Sequence, residues 1–599
     1  MKWEVKVGPE GVEKALDDEL KRIVGVGHFE YQRAGARTSN MPMKMFNALV
    51  DLVDRSGVVE KLHEWDALER KSNVGRKPKM TARAVLVIEL MTVFWNKGVQ
   101  YQEIANTIVY RLTRMQYAAL GMKPEPVGER GWYHRHWAAK SRILHLVDPH
   151  YTTRKNKRLP LADAVDALNA KDPEREQRLQ WVIQALVAAS VSSLPQRYRD
   201  AYSGDVALDS TRIRIQGRVH SRAFTLARQG FALDHPKVLA ASRTLLEGGI
   251  NTNADFTAGT YTRRDGTKGT EPAHELDFVT MMDVDGYDQH PAFARLITGV
   301  SLHVPGEITD GPRLAMQAHS RLFDQRGNCA ADRAFNNSQP ENFQLPLRQD
   351  YWEMVFDYRK NQFGPQGEIP GTELIVVDGA IYVNRMPWKL IWGIRYFKEG
   401  RPDPKTGELF TWADVEEIIR DRQAYQMKRH GSMVSEKRDG AQRYTYPDPQ
   451  TYNAFDPLTG KAIRPHKNQL RGSIRIHPDP SFVKHLQRYP WGSKEWAKAY
   501  AQRNQVESTN ADIKRSRFVD IEDPQKRSGR GSAFHGLASA VMVMVHNLRA
   551  LVRALLAEHS TQKAEPRRAT LPTDRTPMWM LSGAELDAVG PPDEDYADN

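Results

Sequence analysis

Residues 294–337, ARLITGVSLHVPGEITDGPRLAMQAHSRLFDQRGNCAADRAFNN, decide the fold class. ARLITGVSLHV is apolar and partly β-branched and reads as a strand. A Gly-Pro break follows, with Asp310 placed to cap a helix, and PRLAMQAHSRLF then carries apolar residues at helical spacing. A second short apolar run ends in Asp332, and EMVFDYR at 353–359 reads as another strand. Strand, helix, strand, Asp is the order of a mixed α/β sheet flanked by helices.

Upstream, GDVALDSTRIRIQG (204–217) places Val206, Leu208, Thr211 and Ile213 in a β-prone run between two glycines. Asp209 is a charge within that buried strand. An unpaired buried carboxylate is costly, so Asp209 either meets a cation or metal or sits where the strand reaches solvent. Asp332 has two readings of its own, a turn cap at a strand end or a second ligand.

Downstream, SKEWAKAYAQRNQVESTNADIKRS (493–516) sets Tyr500, Arg503, Glu507 and Lys514 at offsets 0, +3, +7 and +14. At about 100° per residue these point along one face of a single helix. Arg503 then lies about 6 Å along the axis from Glu507 and Lys514 about 10 Å on the other side, so the two cations cannot hold the same phosphate. The bland reading is a solvated helix face with Arg503 and Glu507 as an i,i+4 pair.

These three motifs, in this order, resemble bacterial insertion-sequence transposases with an Asp-Asp-Glu active site and the Y-x2-R-x3-E-x6-K signature. All four letters of the signature match at its spacing, while Ser210 and Ala334 stand where glycine is usual. The resemblance implies a ribonuclease-H-like mixed sheet, an all-helical N-terminal domain, and a mainly β insertion before the helix of the catalytic Glu. It implies cut-and-paste chemistry in which Asp209, Asp332 and Glu507 hold two Mg²⁺ ions, with Mn²⁺ able to substitute. Tyr500, Arg503 and Lys514 would contact phosphates. The partners implied are double-stranded DNA, as terminal inverted repeats and target, and a second copy of the chain on paired ends. Two alternatives stand beside this: a catalytically inactive or domesticated relative that only binds DNA, and another ribonuclease-H-like nuclease.

Composition fits a DNA-handling protein without requiring one. The chain has 599 residues, net charge +12 and a pI near 9.4, a surface attractive to any polyanion. One cysteine, Cys329, excludes disulfides within the chain and thiolate zinc fingers, and suggests a reducing cytoplasm. No targeting segment or membrane span is expected, and the resemblance implies the bacterial cytoplasm, in association with the nucleoid. The apolar HGLASAVMVMVHNLRALVRALLAEH carries His546, Asn547, Arg549 and Arg553 and reads as a packed helix.

The chain divides into a helical DNA-binding domain (1–150), a helical spacer (151–200), the first part of the catalytic core (201–361), an insertion of strands and loops (362–485), the second part of the core (486–558) and a flexible tail (559–599). Two further sets of DNA contacts are expected. Arg76, Lys77 and Lys79 around Pro78 form an extended basic strip, and Trp388 or Trp392 in the insertion could stack on a displaced base. The competing readings are a solvated linker for the first and core aromatics for the second.

Overall fold

Strand β1 (Val206–Arg214) is the axis of the molecule, a computed structural model that describes residues 9–28, 40–70, 78–151, 158–242, 253–262, 269–282, 294–305, 311–431, 433, 439–448, 472–515 and 519–563. Arg76, Lys77, Asp310 and the chain beyond 563 lie outside the described residues. Around β1 are β2 (Gly259–Thr262), β3 (Thr270–Met281), β4 (Ile297–His303), β5 (Asn328–Ala331) and β6 (Glu353–Val355). They form one mixed sheet of order β2-β3-β1-β5-β6, with β4 also on β3. β2 and β4 share one edge of β3, and β3 runs antiparallel to both and to β1. β1, β5 and β6 are parallel.

The alternation of β1 sends its two sets of side chains to different layers. Ala207, Asp209, Thr211 and Ile213 share a face with Phe278 and Leu276, their register partners on β3 being Thr280, Phe278, Leu276 and His274. On this face Ile213, Leu276 and Phe278 join a core built by the N-terminal helices, the helix Pro173–Val191 and the long helix Ser532–Lys563. On the opposite face Val206, Leu208, Cys329 and Ala331 meet Ala315 and Met316 of the helix Gly311–Ser320. Cys329 is a buried core residue whose thiol burial pushes up to about 12, which suits packing and not nucleophilic work.

The helical part of the chain is not set apart from the sheet. One continuous core runs from Leu16 and Leu20 through Phe46, Ile88 and Trp132 to Val300 and Val545. Arg549 donates to the Phe94 carbonyl at 2.7 Å, and the Val99 amide to the Lys526 carbonyl at 2.8 Å. The helix Pro173–Val191, capped by Asp172 and with Pro173 in its first turn, lies directly on β4. Gln180 donates to the Val300 carbonyl at 3.0 Å. Asn547 both donates to and accepts from the backbone of Ile297, at 2.8 and 2.9 Å. Amide side chains thus satisfy backbone groups of β4 that no further strand pairs. Among the described residues, the stretch Ser532–His559 alone is long and apolar enough to cross a bilayer, and most of its most apolar window is buried in this core.

The insertion is mixed where mainly β structure was expected. β7 (Pro365–Glu368), β8 (Leu374–Val377) and β9 (Ala380–Val383) form a three-stranded sheet. Its Asp378-Gly379 turn has φ of 42° and 89°, the backbone a two-residue hairpin of this kind needs. Beyond β9 the aromatic and β-branched stretch Trp388–Glu399 is helical, followed by the helix Trp412–Asp421. Pro387 precedes the first helix and Gly400, at φ 64°, ends it. Leu390, Gly393 and Ile394, at helical spacing, bury against Phe410 and Ile418, and that burial overrides the β propensity of Trp, Ile and Tyr. The polar region 425–475 contains β10 (Lys428–His430), β11 (Gln442–Thr445) and β12 (Ser473–Ile476) as a third sheet.

Candidate active site

Asp209 and Asp332 are brought together by register. Leu208 of β1 pairs with Ala331 of β5, so the next residue on each strand is an aspartate, at the same level on parallel neighbours about 4.8 Å apart. Asp332 immediately follows the last residue of β5.

The helix Arg503–Lys514 crosses the same face. Val506 packs in a small cluster with Ala207, Ala330 and Met282, a contact that two alanines make close enough for the helix to sit against the strands. Val506 sets the rotation of the helix. Glu507, the next residue, falls at the rim, half exposed at 51%, and Asn510, one turn beyond Val506, reaches Asp209.

Three donors or cations surround the carboxylates. Asn510 Nδ2 donates to Asp209 Oδ2 at 2.6 Å, and the Ser210 amide to Asp209 Oδ1 at 2.9 Å. Arg503 stands between the other two acids, its guanidinium 3.6 Å from Asp332 Oδ2 and 3.1 Å from Glu507 Oε1. Burial raises the Asp209 carboxyl to about 6, against the opposing pull of Arg503 and the Ser210 amide, with Asp332 adding to the rise. Burial works against the charge of Arg503 too, but Asp332, Tyr500, Glu507 and Asp209 together outweigh it and keep the guanidinium protonated.

A hard, oxygen-only donor set with a desolvated and under-compensated carboxylate at its centre fits Mg²⁺. The three acids do not converge on one point: among the described residues only Asp255, His274 and His535 place ligand atoms within 4.8 Å of one another. Glu507 is turned toward Arg503, which supplies positive charge between Asp332 and Glu507.

The expected single helix of the signature is two. Lys494–Ala501 carries Tyr500 and Arg503–Lys514 the rest, joined through Gln502, whose backbone stays helical while i→i+3 bonds tighten the joint. Tyr500 stacks on Trp496 with ring centroids 4.9 Å apart and planes 10° apart. Burial, with Asp357 and Asp332 nearby, pushes its hydroxyl up to about 12. Lys514 lies 3.4 Å from Glu522, which also binds Arg212 at 3.0 Å.

The remaining candidates sit elsewhere. Lys79 is engaged by Glu125 at 2.6 Å. Trp388 packs edge-on against Tyr396, and Trp392 lies beside the Arg395 guanidinium at 5.6 Å, both on the insertion helix. Asn510 was absent from the sequence reading, although its offset of three from Glu507 was available as a signal.

Behind Asp209, on the other face of β1, Ser210 donates to Asp277 of β3, and Asp277 Oδ2 is 3.2 Å from Nε2 of His303. Burial opposes charge on this imidazole, but Asp277 and the Val304 carbonyl overcome it and raise His303 to about 9. A histidine whose folded value exceeds its unfolded one near 6.5 stabilises fully below that value and loses the contribution as pH rises through about 9. We expect His303→Gln to cost up to about 3 kcal/mol at pH 6, with the difference from wild type shrinking toward pH 9.5. Urea unfolding of both proteins at these pH values checks it, and a difference independent of pH would refute the charged pair.

No known protein family, no curated protein and no solved structure matches this chain.

Proposed function

We propose that this chain is a DNA transposase of the Asp-Asp-Glu type, built on a ribonuclease-H-like core, that cleaves at the ends of a mobile element and joins them to target DNA. The observation that carries the reading is the register of β1 and β5, which sets Asp209 and Asp332 side by side beneath a helix bearing Glu507. Asp209 lies on the first strand of the sheet and Asp332 at the end of a later one, in the order the sequence motifs imply.

Asp209, Asp332 and Glu507 are the metal ligands in this reading. Two bound Mg²⁺ ions would supply activation of the attacking oxygen and stabilisation of the leaving 3′ oxygen. The protein's part is placement. Asn510 and the Ser210 amide fix the plane of the Asp209 carboxylate, and Val506 fixes the height of Glu507 above the sheet. Arg503, released from the acids when their charge is otherwise met, is free to hold a phosphate on one side of Glu507, with Lys514 on the other. No covalent protein intermediate is needed: Tyr500, its hydroxyl kept neutral by burial and its ring stacked on Trp496, would add a hydroxyl contact to the DNA strand at one end of the stripe. The enzyme works as a homodimer on paired ends.

The test uses full-length protein and a plasmid carrying the DNA that flanks its reading frame. Nicks leaving a 3′-OH at the segment ends, in Mg²⁺ or Mn²⁺ and not in chelator, are expected. Cleavage that persists in chelator, or none with either metal, would sink the proposal.

A further inference from the structure

A second constellation lies on the same face of the sheet, beyond reach of the carboxylates. His274 of β3 pairs with Ile213, four residues along β1 from Asp209, or roughly 13 Å at about 3.3 Å per residue. There Asp255, His274 and His535 converge from a loop, a strand and the first turn of the long helix Ser532–Lys563, all buried, with ligand atoms within 4.8 Å of one another. Asp255 Oδ2 is 3.8 Å from His535 Nε2, and the two imidazole centroids are 5.3 Å apart.

The cluster is built from outside and unsatisfied within. The Asp255 carboxylate is held by the Gly531 amide at 2.8 Å and by the Thr257 amide and hydroxyl at 3.1 and 2.7 Å. Neither His274 Nε2 nor His535 Nε2 has a hydrogen-bond partner among the described residues. At 3.8 Å the Asp255–His535 approach is too long for a hydrogen bond. Anchoring the helix N-terminus accounts for Asp255, but not for two buried imidazole nitrogens without hydrogen-bond partners in the same cluster. Buried polar atoms are rarely left so.

The geometry points to a binding site for a divalent transition-metal cation of the Zn²⁺ class, ligated by Asp255, His274 and His535. Two imidazole nitrogens and one carboxylate oxygen form a donor set that suits zinc and is softer than the oxygen-only set around Asp209. Burial keeps both imidazoles well below their ordinary value, so they are neutral and able to ligate. Despite burial, the hydrogen bonds from Thr257 and the Gly531 amide favour the ionised form of Asp255 and hold its carboxyl below the ordinary value. Arg527, fully buried, approaches Nδ1 of His535 at 3.3 Å and donates to the Arg214 carbonyl, while Asp523, Asp520 and Glu522 offset its charge. Ligation through Nε2 therefore requires the His535 ring proton on Nδ1 and the Arg527 Nη1 turned aside. The cation would tie β3 to the start of the helix that closes the core. This site is independent of the transposase reading.

The experiment is metal analysis of full-length protein stripped with chelator and re-equilibrated with ZnCl₂. One zinc per chain is expected, unchanged in an Asp209→Asn/Glu507→Gln variant, together with a raised melting temperature. His274→Gln should weaken Zn²⁺ binding at least ~100-fold. No retained zinc, or full retention by a folded His274→Gln protein, overturns the proposal. Should that variant fail to fold, zinc-edge X-ray absorption of the wild type decides: scattering from two imidazoles supports the site, and an oxygen-only shell refutes it.

Discussion

If the chain is a transposase as proposed, Asp209→Asn, Asp332→Asn and Glu507→Gln should each abolish Mg²⁺-dependent nicking while leaving binding to cognate end DNA largely intact. Each change removes a ligand charge and almost no volume, so its effect falls on the metal site and the transition state, not on the DNA surface. The position of Asp209 adds a second, opposite signature. Its carboxyl is raised to about 6 against about 3.8 in the unfolded chain. A carboxyl shifted upward costs stability where it is ionised, above pH 6, and the cost fades as pH falls through that value toward 4. Asn at 209 carries no charge, and its single side-chain oxygen can accept from Asn510 Nδ2 or from the Ser210 amide but not both, a loss that subtracts from the gain. Metal-free Asp209→Asn should therefore melt higher than wild type at pH 7, by at most about 3 kcal/mol, and the gain should vanish near pH 4. Mg²⁺ should stabilise wild type and not the variant. Nicking assays and melting at both pH values check the two halves. Full cleavage by any of the three variants would remove that residue from the site, and an unstabilised Asp209→Asn would show that Asp209 is better compensated than its burial implies.

A residue whose loss improves stability while ending activity is one the sequence can expose, because it breaks a local rule. Asp209 was legible as a charge in a β-branched run, and Asp332 as the polar end of an apolar one. Their adjacency was not, since parallel register depends on which strands neighbour one another and nothing local encodes it. The signature helix was legible from periodicity, but the tightening at Gln502 was not, because every residue from 494 to 514 is an acceptable helix former. In the insertion, expected to be mainly β, the helix Trp388–Glu399 is hidden by its aromatic and β-branched side chains, although Pro387 and Gly400 flank it as capping signals. Asp255, His274 and His535 lie far apart in the chain with no spacing that marks them, so only the fold assembles them. Lys428–His430 and its partner strands are short and cationic, with too few apolar alternations to stand out from loop.

Arg503→Ala and Lys514→Ala should each lower strand transfer at least ~10-fold, since misplacing a strand against a fixed metal site costs more than ~1.4 kcal/mol in the transition state. Their effects on the protein alone should differ. Lys514 faces Glu522, which keeps Arg212 as a partner when the lysine is removed, and the pair is partly exposed. Its truncation should shift stability by less than about 1 kcal/mol, with or without metal. Arg503 bridges Asp332 and Glu507 beside the part-buried Asp209. Truncating it leaves the acids facing one another, so the metal-free protein should melt lower than wild type, and Mg²⁺ should restore most of the loss by supplying the missing charge. The same logic makes Arg503→Ala bind Mg²⁺ more tightly without DNA, because no guanidinium competes for the carboxylates, even as strand transfer falls. Tighter metal binding paired with poorer catalysis is an outcome that a solvated helix face cannot produce. Melting of both variants with and without Mg²⁺, Mg²⁺ titration followed by calorimetry, and separate nicking and strand-transfer rates distinguish the cases. If both variants nick and join at wild-type rates and melt alike in the two conditions, the stripe is helix surface, and the function rests on the carboxylates alone.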